Sequence, residues 1–326
     1  MTIRDIYELA VKMGMDADPR GKDGVKSHLA RMEKLYQDLP KTKKAEFDLE
    51  TLRNPYSDTR ILFGSPSVNV DAVMAGIDAG GTEVLLTDRL NQKGEGIDLL
   101  ISHHPSGHAL ASLHEVMDLQ VETFANAGVP ENVAQALLAD SMGYIKRRFG
   151  PLNHSQTVDA ARLLGVPLLA LHTVWDNMGD AFMKNYLADK KLTTVGDVME
   201  VICEIPEFKE AIKGKAGPSI VSGGEKSRVG KILITLTGGT NPQKDLYMEL
   251  AKAGVGTLIE MHIPEDSVEE LRKAHINAID IGHMAADSIG ANLFLDELEK
   301  RGVKVLPASG LIRVKRSTTK SSGKKK

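Results

Sequence analysis

The sequence predicts an α/β fold of two lobes with a helical N-terminal extension. From about residue 65, short apolar runs alternate with helical stretches, the texture of strands and helices in turn. A second block of the same texture starts near residue 217. The chain has 326 residues, 42 % of them hydrophobic and 26 % charged, which suits two soluble domains or one large one. The divisions expected are a helical extension over residues 1–60, a first α/β lobe over 61–190 with a helical insertion near 110–150, a second lobe over 191–314, and a disordered basic tail over 315–326.

The elements follow in order. Ile3, Ile6, Tyr7 and Leu9 to Val11 repeat at helical spacing, and Val25 to Leu39 places Leu29, Met32 and Leu35 on one side. Both helices look peripheral. After Asn54-Pro55-Tyr56-Ser57, strands are expected at Val73–Ile77 and Asp98–Ser102, with a Thr82-capped helix between them. Residues 110–150 read as two helices split at Gly128-Val129-Pro130. A helix at Ser155–Leu164 leads into a strand at Leu168–Leu171, and helices follow at Asp176–Asp189 and Thr194–Glu204. The second block offers strands at Ile232–Leu236, Thr257–Glu260, Ala278–Ile281 and Val303–Leu306. Its helices run up to Gly254, from Pro264, and over Ala285–Arg301.

Composition excludes several classes. A single cysteine, Cys203, rules out an intrachain disulfide and a cysteine zinc site, and fits a reducing, cytoplasmic compartment. No stretch reaches the roughly 18 apolar residues of a membrane span, and charges at Arg4, Asp5 and Glu8 interrupt the start where a signal peptide would be apolar. The net charge is −3, but Lys315, Arg316, Lys320, Lys324, Lys325 and Lys326 crowd the end and leave −9 over residues 1–314. So acidic a body is a poor general binder of nucleic acid. The tail combines like charge with Ser and Thr, hence the expectation of disorder.

Chemistry gathers where predicted strands end in histidine. His28, His114 and His275 lie in polar helical contexts and read as surface residues. In Ile101-Ser102-His103-His104-Pro105 an apolar strand runs into two histidines, and Pro105 turns the chain so that both imidazoles can reach one cavity. The bland alternative is a polar pair closing a strand. The strand Leu168–Leu171 delivers His172-Thr173-Val174-Trp175-Asp176, in which Asp176 could equally cap the next helix. The strand Ala278–Ile281 leads to Gly282-His283-Met284-Ala285-Ala286-Asp287. On a helix starting near His283, the spacing of four puts imidazole and carboxylate on one face. The carboxyl ends of strands are where α/β proteins collect their sites. His103, His104, Asp176, His283 and Asp287 are too many for one tetrahedral zinc with an open position and suit two ions sharing a carboxylate and a water. His108 and His172 are candidates for support or substrate contact, or for plain packing. The loop Thr237-Gly238-Gly239-Thr240, expected to open a helix, could hold a phosphate on its amides but reads better as a tight turn.

Those three motifs, in that order, resemble the NIF3-like family, also labelled GTP cyclohydrolase 1 type 2. The family carries a strand ending in His-His-Pro, a middle His-Thr-x-x-Asp, and a late Gly-His-x-x-x-Glu. Here they stand as His103-His104-Pro105, His172-Thr173-Val174-Trp175-Asp176 and Gly282-His283-Met284-Ala285-Ala286-Asp287, within a resemblance spanning roughly residues 65–310. The resemblance implies two interlocked α/β lobes with a dinuclear metal site in the cleft, and a ring-shaped homo-oligomer, often a hexamer. It makes His103, His104, Asp176, His283 and Asp287 the metal ligands, with aspartate at 287 where the family has glutamate. A family Gly-Glu at a strand end matches Ile259-Glu260 with the glycine replaced, so Glu260 becomes the expected general base or water-orienting group. Ser106-Gly107-His108 replaces the family's bulky apolar residues, and the 110–150 insertion lengthens the first spacing. Mixed imidazole and carboxylate ligation admits Zn, Fe, Mn or Co. The function expected is metal-dependent hydrolysis of a small molecule, by the family label a purine nucleotide such as GTP, or a phosphoester. The alternative is a metal-binding regulatory or scaffolding protein without catalysis.

Overall fold

A computed structural model describes residues 1–239, 241 and 244–316. Two sheets organise the chain. The first contains β1 (Thr59–Phe63), β2 (Ala72–Gly76), β3 (Leu99–Ser102), β4 (Leu168–Leu171) and β9 (Lys304–Ala308), in spatial order β1-β4-β3-β2-β9. The second contains β5 (Ser219–Ser222), β6 (Lys231–Ile234), β7 (Val255–Glu260) and β8 (Asn277–Asp280), in order β5-β8-β7-β6. Each sheet is parallel except for one antiparallel edge, β1 against β4 and β5 against β8. Strands β2, β3 and β4 are buried along their whole length. Parallel strands covered on both faces have no solvent side, which is why they read as unbroken apolar runs.

The lobes interlock through the chain's last strand. Division at residue 191 would give Val303–Leu306 to the second lobe, but β9 crosses back and pairs with β2 of the first sheet, Val73 opposite Val305. The N-terminal helix Ile3–Asp16 also departs from the expected periphery. Ile3, Ile6 and Ala10 are fully buried, and the helix packs against Thr173–Ala188 as part of the first core. Strand β1 leaves no clear trace in the sequence because Thr59 and Arg60 look polar. Arg60 is nonetheless buried, its guanidinium donating to the carbonyls of Tyr56 and Thr59 and to Asp48.

The insertion forms four helical pieces, Gly107–Ala111, Leu113–Asp118, Leu119–Asn126 and Glu131–Phe149, rather than two. Val121, Phe124, Ala134 and Leu138 pack with Leu246, Tyr247 and Leu258, so this segment of the first lobe caps the second sheet. The helix expected directly after Thr237–Gly239 begins only at Asp245; Thr240 lies outside the described residues. Lys315 and Arg316 do not join a free tail. Arg316 forms ion pairs with buried Glu207, Lys315 pairs with Glu299, and Arg313 bonds to Asp296, so the body extends to 316. The rest of the expected tail, 317–326, lies outside the described residues. No helix among them is long and apolar enough to cross a membrane.

Two long helices, Thr173–Ala188 and His283–Lys300, cross between the sheets and make the most extensive helix contact in the chain. Gly290 sets how close they come. A Cβ there would lie 1.9 Å from the carbonyl oxygen of Trp175 and 3.1 Å from the Gly179 nitrogen, both backbone atoms that cannot rotate away. Gly290→Ala is therefore expected to push the helices apart. Overpacking of this kind costs about 1–3 kcal/mol, and the rigid obstacle places it at the upper end. Calorimetry should show the lowered melting temperature, and metal binding should weaken with it, because each helix carries a site carboxylate. A variant as stable as the parent would show that the crossing has slack.

Candidate metal centre

Four strand ends converge on the cleft. His103 and His104 follow β3, His172 and Asp176 follow β4, Glu260 ends β7, and His283 follows β8 at the first position of its helix. Asp176 does not cap its helix. That helix starts at Thr173 with His172 at the N-cap position, and Asp176 sits in the first turn with its carboxylate turned toward His103. His283 and Asp287 fall one helical turn apart, Nε2 to Oδ2 3.3 Å, as their spacing predicts.

The structure brings together all five residues singled out as ligands. His103, Asp176 and Asp287 form one cluster that could hold a metal ion, and His104, His283 and Asp287 form another, with Asp287 common to both. In the first, His103 Nε2 lies 3.2 Å from Asp176 Oδ1 and 3.6 Å from Asp287 Oδ1. In the second, His104 Nε2 lies 3.5 Å from Asp287 Oδ2 and 3.2 Å from His283 Nε2. The aspartate, one methylene shorter than the family's glutamate, thus reaches both clusters, one oxygen to each.

The chemistry of these donors suits a metal ion. His103 Nδ1 donates to the Leu171 carbonyl at 3.1 Å, which leaves Nε2 as a lone pair facing two carboxylate oxygens. His103 Nε2, Asp176 Oδ1 and both Asp287 oxygens are buried with no hydrogen-bond partner among the described residues. Buried acceptors without donors are costly. A metal ion satisfies them; a second proton on His103 is the other way. Consistently, burial would lower the His103 pKa, yet Asp287 and Asp176 hold it well above the ordinary value. Burial likewise opposes ionisation of Asp287, but His103, His104 and His283 keep its carboxyl far below the usual range.

A second layer, not foreseen from the sequence, orients these ligands. Asp78 accepts from His104 Nδ1 at 2.6 Å and so aims Nε2 into the cleft. Asp58 accepts from His172 Nδ1 at 2.8 Å and from the Thr173 hydroxyl at 2.7 Å. His172 is therefore fixed with Nε2 toward the site, 3.9 Å from Asp176, and forms a further possible group with His103 and His104. Asp78 stands two residues past the end of β2, a signal that could have flagged it. Asp58 sits one residue ahead of β1, and nothing local marks it. His262, two residues past Glu260, stacks edge-on against His283 with ring centroids 4.6 Å apart and is likewise absent from the sequence expectation. His108 is exposed and faces Arg60, Asp48 and Glu50, away from the clusters.

Glu260 lines the same cavity and is almost fully buried. It accepts from the Thr235 hydroxyl at 3.1 Å and from Asn241 Nδ2 at 2.7 Å. Burial pushes its pKa up to about 7 despite both hydrogen bonds. Among the described residues the glycine loop does not open a helix; the next one begins only at Asp245. The Gly238 carbonyl instead accepts from Gln120 of the insertion at 2.9 Å.

No protein-family model matches the chain, and no curated protein matches it. Solved structures do. The crystal structure of a NIF3 superfamily protein from Sphaerobacter thermophilus superposes with a TM-score of 0.73 at 26 % identity, over 95 % of this chain and 99 % of that one. In fold and in sequence the chain is similar to this NIF3 superfamily protein. Reduced HcgD from Methanocaldococcus jannaschii matches with a TM-score of 0.48 at 12 % identity, covering 86 % of this chain and 96 % of its own. TTHA1606 from Thermus thermophilus matches with 0.46 at 14 % identity, covering 90 % and 99 %. In this chain the N-terminal helix docks into the first core and the insertion lines the cavity beside the His/Asp clusters.

Proposed function

We propose that the protein is a metal-dependent hydrolase with a dinuclear centre, His103, Asp176 and Asp287 holding one divalent ion and His104, His283 and Asp287 the other. The supporting observation is the shared, unpartnered Asp287 carboxylate, with one oxygen toward each histidine cluster. Zn, Fe, Mn or Co suits this donor set. Two such ions would acidify water and polarise a substrate oxygen.

The chain's own groups supply the rest. Glu260, poised near neutrality, takes a proton from water in the cavity and returns it to the leaving group. Thr235 and Asn241 hold its oxygens in place. Asp78 and Asp58 keep His104 and His172 in one tautomer, with Nε2 inward. The family label points to a purine nucleotide or a phosphoester as substrate, and the family resemblance to a hexamer.

Elemental analysis of protein purified without chelator tests the reading, with about two transition-metal ions per chain expected. A screen with that metal in place should then reveal hydrolysis that chelation abolishes and metal restores. Metal bound without any turnover would instead favour a regulatory or scaffolding role, and no metal at all would defeat both.

A further inference from the structure

The cavity over the two clusters has two unlike walls. One is polar, carrying the histidines, Asp176 and Glu260. The other is apolar, made by Leu110, Leu113, Phe124 and Phe149 of the insertion with Leu236 and Met261 of the second lobe. No lysine or arginine is among the described residues lining it, and its volume is about 230 Å³, small for a ligand site.

The apolar wall is fixed in place. Gly238 has φ +100°, and a Cβ there would lie 2.5 Å from Gln120 Cγ; at Gly239 a Cβ would lie 2.9 Å from Val116 Cγ2. The insertion is thus pressed onto the 237–239 loop, with Gln120 bonded to the Gly238 carbonyl. Arg148 and Lys244 line an outer cavity that shares Phe149, Asn241 and His262 with the inner one. There they are matched in number by Asp245 and Asp266.

From this we infer that the insertion restricts the site to a small uncharged carbonyl compound with an apolar body, a cyclic imide or an aryl amide rather than a nucleotide or phosphoester. The inference rests on the hydrolase reading and replaces the substrate class that the family label points to. Sites that hold polyanions place Arg or Lys beside them, and the described residues lining this cavity include neither. Burying an unpaired anion against leucine and phenylalanine is costly, whereas a neutral ring gains from the same wall. The reaction balances without a redox partner. Water adds to the carbonyl carbon, the carbon–nitrogen bond breaks, and the proton held by Glu260 goes to the departing nitrogen. The products are a carboxylate and an amine or amide.

Phthalimide is the reference probe, set against GTP and p-nitrophenyl phosphate, on full-length protein carrying its purified metal. Calorimetry should show phthalimide binding at least tenfold more tightly than either anion, and assay should show its conversion to phthalamate. Phe149→Ala and Leu110→Ala remove half-buried wall side chains at the edge of the first core. Each should raise the KM for phthalimide about tenfold with a smaller change in kcat and unchanged metal content. Phe149→Arg should improve p-nitrophenyl phosphate binding. Phthalimide that binds without being cleaved sinks the hydrolase reading and leaves the pocket assignment standing. Tighter binding and faster cleavage of GTP or the phosphoester overturns the assignment and leaves the hydrolase. Absence of phthalimide binding overturns the assignment as well.

Discussion

Asp287→Ala is expected to strip both metal ions from the protein, whereas His283→Ala removes only one. The difference follows from geometry. Asp287 is the one carboxylate belonging to both clusters, with Oδ1 3.6 Å from His103 Nε2 and Oδ2 3.3 Å from His283 Nε2. Without it each cluster falls to two ligands, fewer than the three or four that zinc-type sites use. His283→Ala leaves the His103–Asp176–Asp287 group complete. Asp78→Asn touches only the far nitrogen of His104, and loss of such outer support costs about 10–100-fold in affinity. Metal per chain, measured on the three variants purified in parallel, should fall in the order Asp78→Asn, His283→Ala, Asp287→Ala. Equal loss in Asp287→Ala and His283→Ala would mean that the two positions are not independent, or that only one exists.

Glu260→Gln carries the second large effect, in two readouts of opposite sign. As a general base, Glu260 is worth about 10²–10⁴ in rate, so the variant should keep its metal and lose most hydrolysis. Stability should move the other way. The folded carboxyl has a pKa of about 7 against an ordinary 4.5. Below pH 4.5 both folded and unfolded chains carry the proton and the group's contribution is intact. Between 4.5 and 7 the unfolded chain ionises first, so stability falls as pH rises, and above 7 the loss is complete. At about 1.4 kcal/mol per pKa unit, the rise from 4.5 to about 7 makes the loss on the order of 3 kcal/mol. Glutamine has no charge to desolvate and can still accept from Asn241 while donating to the Thr235 hydroxyl. Metal-free Glu260→Gln should therefore unfold at higher denaturant than the parent at pH 8, with the gap closing toward pH 4.5. Full activity would remove Glu260 from the mechanism. A variant no more stable at pH 8 would show that Glu260 is solvated in the native state.

Much of the site is legible because strand ends leave a local trace. An apolar run stopping at His-His-Pro, or at Gly-His with an acid one turn on, records both the element and its terminus. All five proposed ligands carry such a trace. Asp58 carries none. Its role depends on β1 lying antiparallel beside β4, so that residues 58 and 172 meet across more than a hundred positions. His262, like Asp78, stands two residues past a strand end, but only the fold sets it against His283.

The sequence by itself determined most of the element types, the α/β class and the strand-end chemistry, since hydrophobic periodicity and short motifs are local properties. Tertiary structure alone decided three things. It returned β9 to the first sheet, because an unpaired parallel edge beside β2 must be hydrogen-bonded. It drew the N-terminal helix into the core, because Ile3, Ile6 and Ala10 form an apolar face whose partner lies on a helix some 170 residues away. And it laid the insertion over the His/Asp clusters as an apolar wall, because Phe124 and Leu138 bury themselves against the second lobe's sheet. Burial depends on which surfaces meet, and a chain read residue by residue does not contain that information.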